Sequence, residues 1–293
     1  MIIKKEGKKV LTIFLFVLIV ILSNTLVLSQ SEEQGSSSYQ DRCPLTVSYG
    51  DKCIQSIPTV TYSDGSAATD NFVVSGCTPQ ENVQLAKCAE HAREALAKEF
   101  TGKPLPGKWS TKVPVRVRCH PQLGAGGATS FKFDQGEVFR WDMKVQGSKE
   151  KLCSSVIPHE VMHTISASTF RKPLPRWIDE GVSSTIEDSE ETSKYHRNEI
   201  EFLKTGRGIP FSVMMNMKDY PEDVMPLYTQ GESATYYLIL LGGGGTEGRR
   251  KLWNFMKDAM RDDNWDRALN KYYGFKTPRE FQDAWLDRLK RGF

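Results

Sequence analysis

The spacing of hydrophobic and polar residues changes near residue 150. Before that point apolar and polar residues tend to alternate: over 114–120, valines alternate with arginines, which is the period of a half-buried strand. Beyond it, apolar residues recur every three or four positions, as in amphipathic helices. This spacing predicts helices over 155–167, 177–187, 191–204, 229–241, 247–260, 264–273 and 278–290. Strands followed by helices favour an α+β fold, sheet-rich over 41–149 and helical over 150–293.

The sheet-rich part carries further signals. Short apolar stretches among Ser, Thr, Asp and Gly over 41–78 predict strands and loops, and residues 81–100 have the apolar spacing of one helix. Two strand-like segments, 129–133 and 138–143, flank Asp134-Gln135-Gly136, which predicts a β-hairpin. These segments together predict a small sheet that precedes the helices.

The N-terminus has the pattern of an export signal. Four lysines precede a hydrophobic run over 10–22, and a weakly polar segment follows it, so we expect 1–29 to be a signal peptide cleaved before Gln30. If it is not cleaved, the stretch 10–28 is long enough to be a membrane anchor. In both alternatives the rest of the chain is exported, to a secreted, periplasmic or cell-surface location. The exported part consists of a flexible tether over 30–40 and a globular domain over 41–293.

Composition and charge narrow the class of protein. With 39% apolar and 26% charged residues, the 293-residue chain is neither collagen-like, disordered nor a multi-span membrane protein. The chain has 39 basic and 36 acidic residues, but four lysines and one glutamate fall within 1–29. The exported part is therefore neutral, and its charge indicates no nucleic acid or anionic surface as partner.

All six cysteines lie between Cys43 and Cys153, within the part predicted to be exported. An even number in an oxidising compartment favours disulfides, although six cysteines allow many pairings and the sequence does not choose among them. Buried free thiols are the alternative. The chain has no Cys-x-x-Cys pair, so a cysteine-based zinc site is not expected.

Residues 159–163 read His-Glu-Val-Met-His. On a helix, His159 and His163 lie on one face one turn apart, so both imidazoles could bind one cation. Glu160 could then act as the general base toward a water on that cation. Ser154 or Ser155 is placed to cap this helix at its N-terminus.

A third ligand would complete the site. Metzincins place a glycine three and a histidine six residues after the second histidine, where this chain has Ser166 and Thr169. Glu180 instead lies 17 residues after His163 on the next predicted helix. Two histidines and a glutamate form a Zn²⁺ site with one position left for water.

These motifs resemble those of the gluzincin superfamily of zinc metallopeptidases, specifically the compact peptidase-MA-like bacterial proteins. The matching segments are HEVMH at 159–163, LPRWIDEG at 174–181, YTQG opening a helix at 228, and GATSF at 127–131. The resemblance runs from about residue 71 to the C-terminus and implies a thermolysin-like core.

The resemblance also implies residue roles. His159, His163 and Glu180 would be the zinc ligands, Glu160 the general base, and Tyr228 the donor that stabilises the oxyanion. The alternative for Tyr228 is an ordinary core aromatic. The motif that binds a free amine in aminopeptidases is missing, so exopeptidase activity has no support. A hairpin strand could pair with the substrate backbone by analogy, or the hairpin could simply fill the core with its aromatic residues.

We therefore expect an exported zinc-dependent peptidase that acts on peptides or proteins. The first alternative is a catalytically inactive scaffold of the same fold that binds zinc or a peptide, and the second is a zinc-free structural protein with an accidental motif. Nucleic acid is not expected as a partner, and a membrane only if the N-terminal segment is an uncleaved anchor. The sequence leaves the peptide specificity and the oligomeric state open.

Overall fold

The computed structural model describes residues 45–291. The predicted signal or anchor (1–29), the tether (30–40) and the start of the domain at residue 41 lie outside the described residues. Between residues 45 and 291, no helix is both long and apolar enough to cross a membrane.

The described chain contains a six-stranded mixed sheet in the order β1-β2-β3-β4-β6-β5. Its strands are β1 (Val60–Thr61), β2 (Ala67–Ala68), β3 (Phe72–Ser75), β4 (Val113–Cys119), β5 (Gly126–Asp134) and β6 (Glu137–Gly147). The central pairs β3–β4 and β4–β6 are parallel, whereas β1–β2, β2–β3 and β5–β6 are antiparallel. Helix α1 (Pro79–Thr101) connects the parallel strands β3 and β4. The parallel pairing was not predicted, because it depends on crossovers that the spacing of residues does not show.

The predicted hairpin is present as β5 and β6. Asp134 pairs with Glu137, and the two turn residues Gln135 and Gly136 have φ of 50° and 79°. Two positive φ values are those of a type I′ turn, whose twist matches that of the flanking strands. The Gln-Gly dipeptide thus explains the tight connection.

The helical half follows the sheet as predicted. After the short helix α2 (Lys149–Lys151), the larger helices coincide with the predicted segments to within a few residues. They are α3 (Ile157–Phe170), α4 (Arg176–Ser184), α5 (Ser189–Lys204), α7 (Met225–Leu241), α8 (Gly245–Asp262), α9 (Trp265–Tyr273) and α10 (Pro278–Arg291), and the short helix α6 (Phe211–Met214) lies between α5 and α7. The one-turn helices α2 and α6 were missed because they are too short to show a helical period.

The predicted serine cap of α3 is wrong. Residues Leu152–Val156 form a π-helical turn that continues into α3, so no free N-terminus exists at that point. Both serines bind Asp188 instead. The Ser154 hydroxyl donates to the Asp188 carboxylate at 3.1 Å, and the Asp188 backbone N–H donates to Ser155 Oγ at 3.0 Å. These bonds tie the start of α3 to the N-terminus of α5.

Two disulfides brace the region that leads into α3, which confirms the prediction of disulfides for these cysteines. Cys77 and Cys119 join the segment after β3 to the end of β4, with their Cα atoms 5.9 Å apart. Cys88 and Cys153 join α1 to the π-helical turn, with their Cα atoms 5.6 Å apart. Cys53 is disulfide-bonded as well. Such bonds persist in oxidising environments.

Helices α4 and α7 cross closely because glycines lie at the contact. A Cβ on Gly231 of α7 would come 2.6 Å from the carbonyl oxygen of Trp177, and one on Gly181 of α4 would come 2.3 Å from that of Gly231. Neither position has room for a side chain. The crossing brings Glu180, next to Gly181, close to the start of α7, where Tyr228 lies.

Candidate metal centre

Three buried side chains converge between α3 and α4. His159 and His163 lie on α3 and place their Nε2 atoms 3.2 Å apart. Glu180 on α4 places Oε2 3.5 Å from His159 Nε2 and 3.6 Å from His163 Nε2. The three residues that the sequence singled out as ligands therefore present three donor atoms to one point.

Each imidazole is held from its other nitrogen by a carboxylate. His159 Nδ1 lies 2.6 Å from Glu187 Oε1, and His163 Nδ1 lies 3.1 Å from Asp179 Oδ1. A proton on Nδ1 that bonds these acceptors leaves Nε2 free as the metal-binding nitrogen. Carboxylate partners of this kind orient metal-binding histidines and raise their basicity.

A further layer of residues holds the carboxylates. Tyr220 donates its hydroxyl to Glu180 Oε1, the oxygen that faces away from the imidazoles. The guanidinium of Arg176 lies 4.5 Å from the centre of the Tyr220 ring, and its Nη1 is 3.6 Å from Asp179 Oδ2. Arg176 thereby contacts both Tyr220, which bonds Glu180, and Asp179, which bonds His163.

Charge and burial oppose each other in this cluster. Burial disfavours the charged imidazoles, but Glu180 and Glu187 outweigh it at His159 and raise its pKa well above the ordinary value. Asp179 and Glu180 likewise raise the pKa of His163 against burial. Burial also opposes ionisation of Glu180, yet the two imidazoles keep its pKa well below the usual range. Binding of a metal ion at the two imidazoles would therefore compete with their protonation.

Glu160, the proposed general base, points to strand β5. Its Oε2 accepts a hydrogen bond from Thr129 Oγ1 at 2.6 Å, and its side chain is buried. A Cβ on Gly127 would come 2.4 Å from Glu160 Oε1, so only glycine leaves room for the carboxylate. Burial raises the pKa of Glu160, while His159 and His163 lower it in part.

Tyr228, at the start of α7, lines the same small pocket as His159 and Glu160. Its ring stacks on that of Tyr220, with centroids 6.3 Å apart and planes 11° from parallel. Its hydroxyl is buried without a hydrogen-bond partner among residues 45–291. Burial and the charge of Glu180 raise its pKa well above the ordinary value, so the phenol keeps its proton.

Two other groups in the described chain have the spacing of a metal site, but both are satisfied otherwise. Cys77 and Cys119, which lie near Glu81, are bonded to each other. Asp188, with Glu190 and Glu191, surrounds the Lys151 ammonium, whose Nζ is 2.9 Å from Asp188 Oδ2. Between α3 and α4, no lysine or arginine among residues 45–291 forms an ion pair with Glu180.

Several residues of this centre were not singled out from the sequence. Tyr220 carries no motif, Glu187 was only the last residue of a predicted helix, and Asp179 lies within LPRWIDEG at 174–181 but was given no role. Gly127 and Thr129, which shape the place of Glu160, belong to GATSF at 127–131, so that segment was a usable signal. The other partners come together only through the packing of α4, α5 and the loop before α7.

The hairpin packs aromatic residues against one another and also forms one edge of the described sheet. Strand β5 is an edge strand of the described sheet and carries Thr129 toward Glu160. Phe131 packs against Trp141, with ring centroids 5.2 Å apart, whereas Phe139 is exposed. Phe139 therefore does not pack inward, and it lies close to the turn, beyond the part of the sheet that the core covers.

Comparison with protein-family models, with curated proteins and with solved structures finds no match for this chain.

Proposed function

We propose that the protein is an exported zinc-dependent peptidase that hydrolyses peptide bonds with Glu160 as general base. The observation that carries this proposal is the convergence of His159 Nε2, His163 Nε2 and Glu180 Oε2 beside a buried glutamate. The export signal in the sequence and the disulfides support the extracytoplasmic location.

The donor set fits a zinc ion. Glu180 Oε2 is buried without a hydrogen-bond partner within the described range, and it faces the two imidazole nitrogens. A buried carboxylate oxygen without a partner is costly, and a bound cation would remove that cost. Two imidazoles and one carboxylate are the ligands of catalytic zinc sites in peptidases.

Zinc held by these three residues would act as a Lewis acid toward water and toward the scissile carbonyl. Glu160 would take a proton from the attacking water and deliver it to the leaving amine. Burial raises its pKa above the ordinary value, which is the direction that favours a general base. Thr129 holds the carboxylate in place through the bond to Oε2.

Tyr228 would donate its free hydroxyl to the oxyanion that develops on the substrate. Because this buried hydroxyl has no hydrogen-bond partner, it can donate to the substrate without breaking an existing bond. This supports the oxyanion role over that of a core aromatic. The substrate backbone would bind along the edge strand β5, beside Thr129 and Gly127.

Metal analysis of the purified protein, combined with hydrolysis of a mixed peptide library, tests the proposal. We expect one zinc ion per chain, loss of cleavage with a chelator and recovery when zinc is returned. A metal-binding protein that cleaves no peptide would be the inactive scaffold instead. A protein with neither metal nor cleavage would overturn both zinc hypotheses.

A further inference from the structure

A second cavity lies between α5 and α7, on the far side of Glu187 from the metal centre. Its volume is about 620 Å³, within the range of sites for small molecules and side chains. Three carboxylates line it: Glu187 at the end of the turn after α4, Glu199 on α5 and Glu232 on α7. Glu187 also lines the small pocket that contains His159 and Glu160, so the two spaces adjoin at this side chain.

Glu199 is the residue that points to a ligand. Its side chain is completely buried, and no lysine or arginine within the described chain pairs with either carboxylate oxygen. His196 Nδ1 lies 3.9 Å from Glu199 Oε2, beyond hydrogen-bond distance. A buried carboxylate in this state lacks the partner that such groups normally have.

Glu232 is also buried, at 8% exposure, and forms no ion pair with any lysine or arginine between residues 45 and 291. Arg197 lies in the lining of the same cavity without pairing with either carboxylate. Burial raises the pKa of Glu199 to about 8, with Ser233 opposing the shift, and burial together with Glu187 raises that of Glu232 to about 8. The cavity is therefore lined by three glutamates and one arginine, and that arginine pairs with neither Glu199 nor Glu232.

The geometry favours an organic cation over a metal ion. The oxygens of the three glutamates do not converge as the donors of the metal centre do, and the space is far larger than one ion needs. Tyr236 lines the cavity and is 40% exposed, so its ring offers an apolar face for an aliphatic stem or a guanidinium.

We propose that this cavity binds a basic side chain, lysine or arginine, of the peptide substrate, with Glu199 and Glu232 as its acidic partners. The identity of the ligand as a substrate side chain rests on the proposed peptidase function. The adjoining position of the cavity, across Glu187 from His159, would place the basic residue near the scissile bond.

The first experiment tests the cavity without using activity. The n-butylguanidinium ion is titrated into the metal-stripped protein by calorimetry, with uncharged n-butylurea as the control ligand. We expect saturable binding of the cation only, weakened at least about tenfold by Glu232→Gln or Glu199→Gln, because each removes a carboxyl group that can ionise beside the bound cation. Glu201→Gln, an exposed glutamate on the same helix, should leave binding unchanged.

Substitution of a buried glutamate could disturb the fold, so an exposed position provides a second variant. Ser193 lines the cavity and is exposed, and Ser193→Lys would supply a cation from the chain itself. We expect this variant to keep its melting temperature and to lose binding of n-butylguanidinium. Absence of saturable binding to the wild type, or binding indifferent to both Glu232→Gln and Ser193→Lys, would overturn the proposal.

The second experiment identifies the ligand as a substrate side chain. Peptide pairs that differ only by lysine or norleucine are compared at each position around the cleaved bond. We expect at least about a tenfold higher kcat/KM for lysine at one position, and loss of that preference in Glu232→Gln. Equal rates for all pairs would overturn the substrate assignment. Cation binding without cleavage of any peptide would refute the peptidase function while keeping the cavity as an organic-cation site.

Discussion

Two buried polar regions of this molecule, the metal centre between α3 and α4 and the cavity between α5 and α7, differ in how their charges are matched. In the metal centre, Glu187 and Asp179 hold the two imidazoles, and Tyr220 holds one oxygen of Glu180. In the cavity, neither Glu199 nor Glu232 pairs with a lysine or arginine among residues 45–291. The first region is organised before any ligand binds, whereas the second leaves its acidic groups unmatched.

The difference has a physical consequence for function. A site whose donors are already oriented loses little conformational freedom when it binds a metal, and it supports chemistry that needs fixed geometry. A site with unmatched buried carboxylates destabilises the fold until a cation binds. The free energy of binding therefore favours a positively charged ligand over a neutral one. Glu187 belongs to both regions, because it bonds His159 and lines the cavity.

The largest expected effect comes from the proposed base. Glu160→Gln keeps the size of the side chain and its bond from Thr129, but it cannot accept the proton of water. We expect kcat to fall by about 10² to 10⁴-fold while the zinc content stays the same. The measurement is peptide hydrolysis beside metal analysis, with Glu201→Gln as the control. Unchanged turnover would exclude Glu160 as the base.

The next effect concerns the unpartnered phenol. Tyr228→Phe removes the buried hydroxyl and keeps the ring that stacks on Tyr220. We expect kcat to fall by about 10² to 10³-fold, with KM and zinc content little changed, because one oxyanion donor is lost. Tyr237→Phe, on the same helix, is the control. A Tyr228→Phe protein with wild-type kcat would make this residue a core aromatic only.

A smaller effect tests how far the organised region depends on its carboxylate partners. Glu187→Gln weakens the acceptor of His159 Nδ1 without touching a ligand, and we expect zinc affinity to fall by about 10- to 100-fold. Competition with a chromophoric chelator measures it. Glu190→Gln removes a nearby exposed charge that contacts Lys151 instead, and it should leave the affinity unchanged. Equal affinity in both variants would show that the partner does not tune the site.

The smallest effect concerns stability in the unmatched region. The pKa of Glu232 is raised to about 8 in the folded protein, so the folded state binds this proton more tightly than the unfolded state. Its contribution to stability is present below about pH 4.5 and is lost as the pH rises toward 8.

Glu232→Gln removes this titration. We expect the variant to gain stability relative to the wild type between pH 5 and pH 8, by an amount on the order of 1 kcal/mol or more. Urea unfolding across that range measures the difference, with Glu201→Gln as the control. A stability difference that does not vary with pH would contradict the prediction.

Much of this structure was predictable from local patterns. The helical period located the larger helices of the second half, and alternation with a Gln-Gly turn located the hairpin. The spacing of His159, His163 and Glu180 was sufficient to place three donors together. Positions four apart share a helix face, and the short connection between α3 and α4 keeps Glu180 close to that face. The serine cap of α3 failed because the helix continues through a π-helical turn, which no local pattern marks.

The remaining features depend on contacts between distant residues. The parallel strand pairs, the pairing of Cys77 with Cys119 and Cys88 with Cys153, and the acceptors of each imidazole form only when separate elements pack. Local spacing determines which residues share a face, since that follows from backbone geometry. It does not determine which face of another element they meet, since that follows from how the whole core is filled. The candidate metal ligands could therefore be predicted from the sequence. Tertiary packing decided which carboxylate bonds His159, and it decided that the glutamates of the cavity are buried without a lysine or arginine beside them.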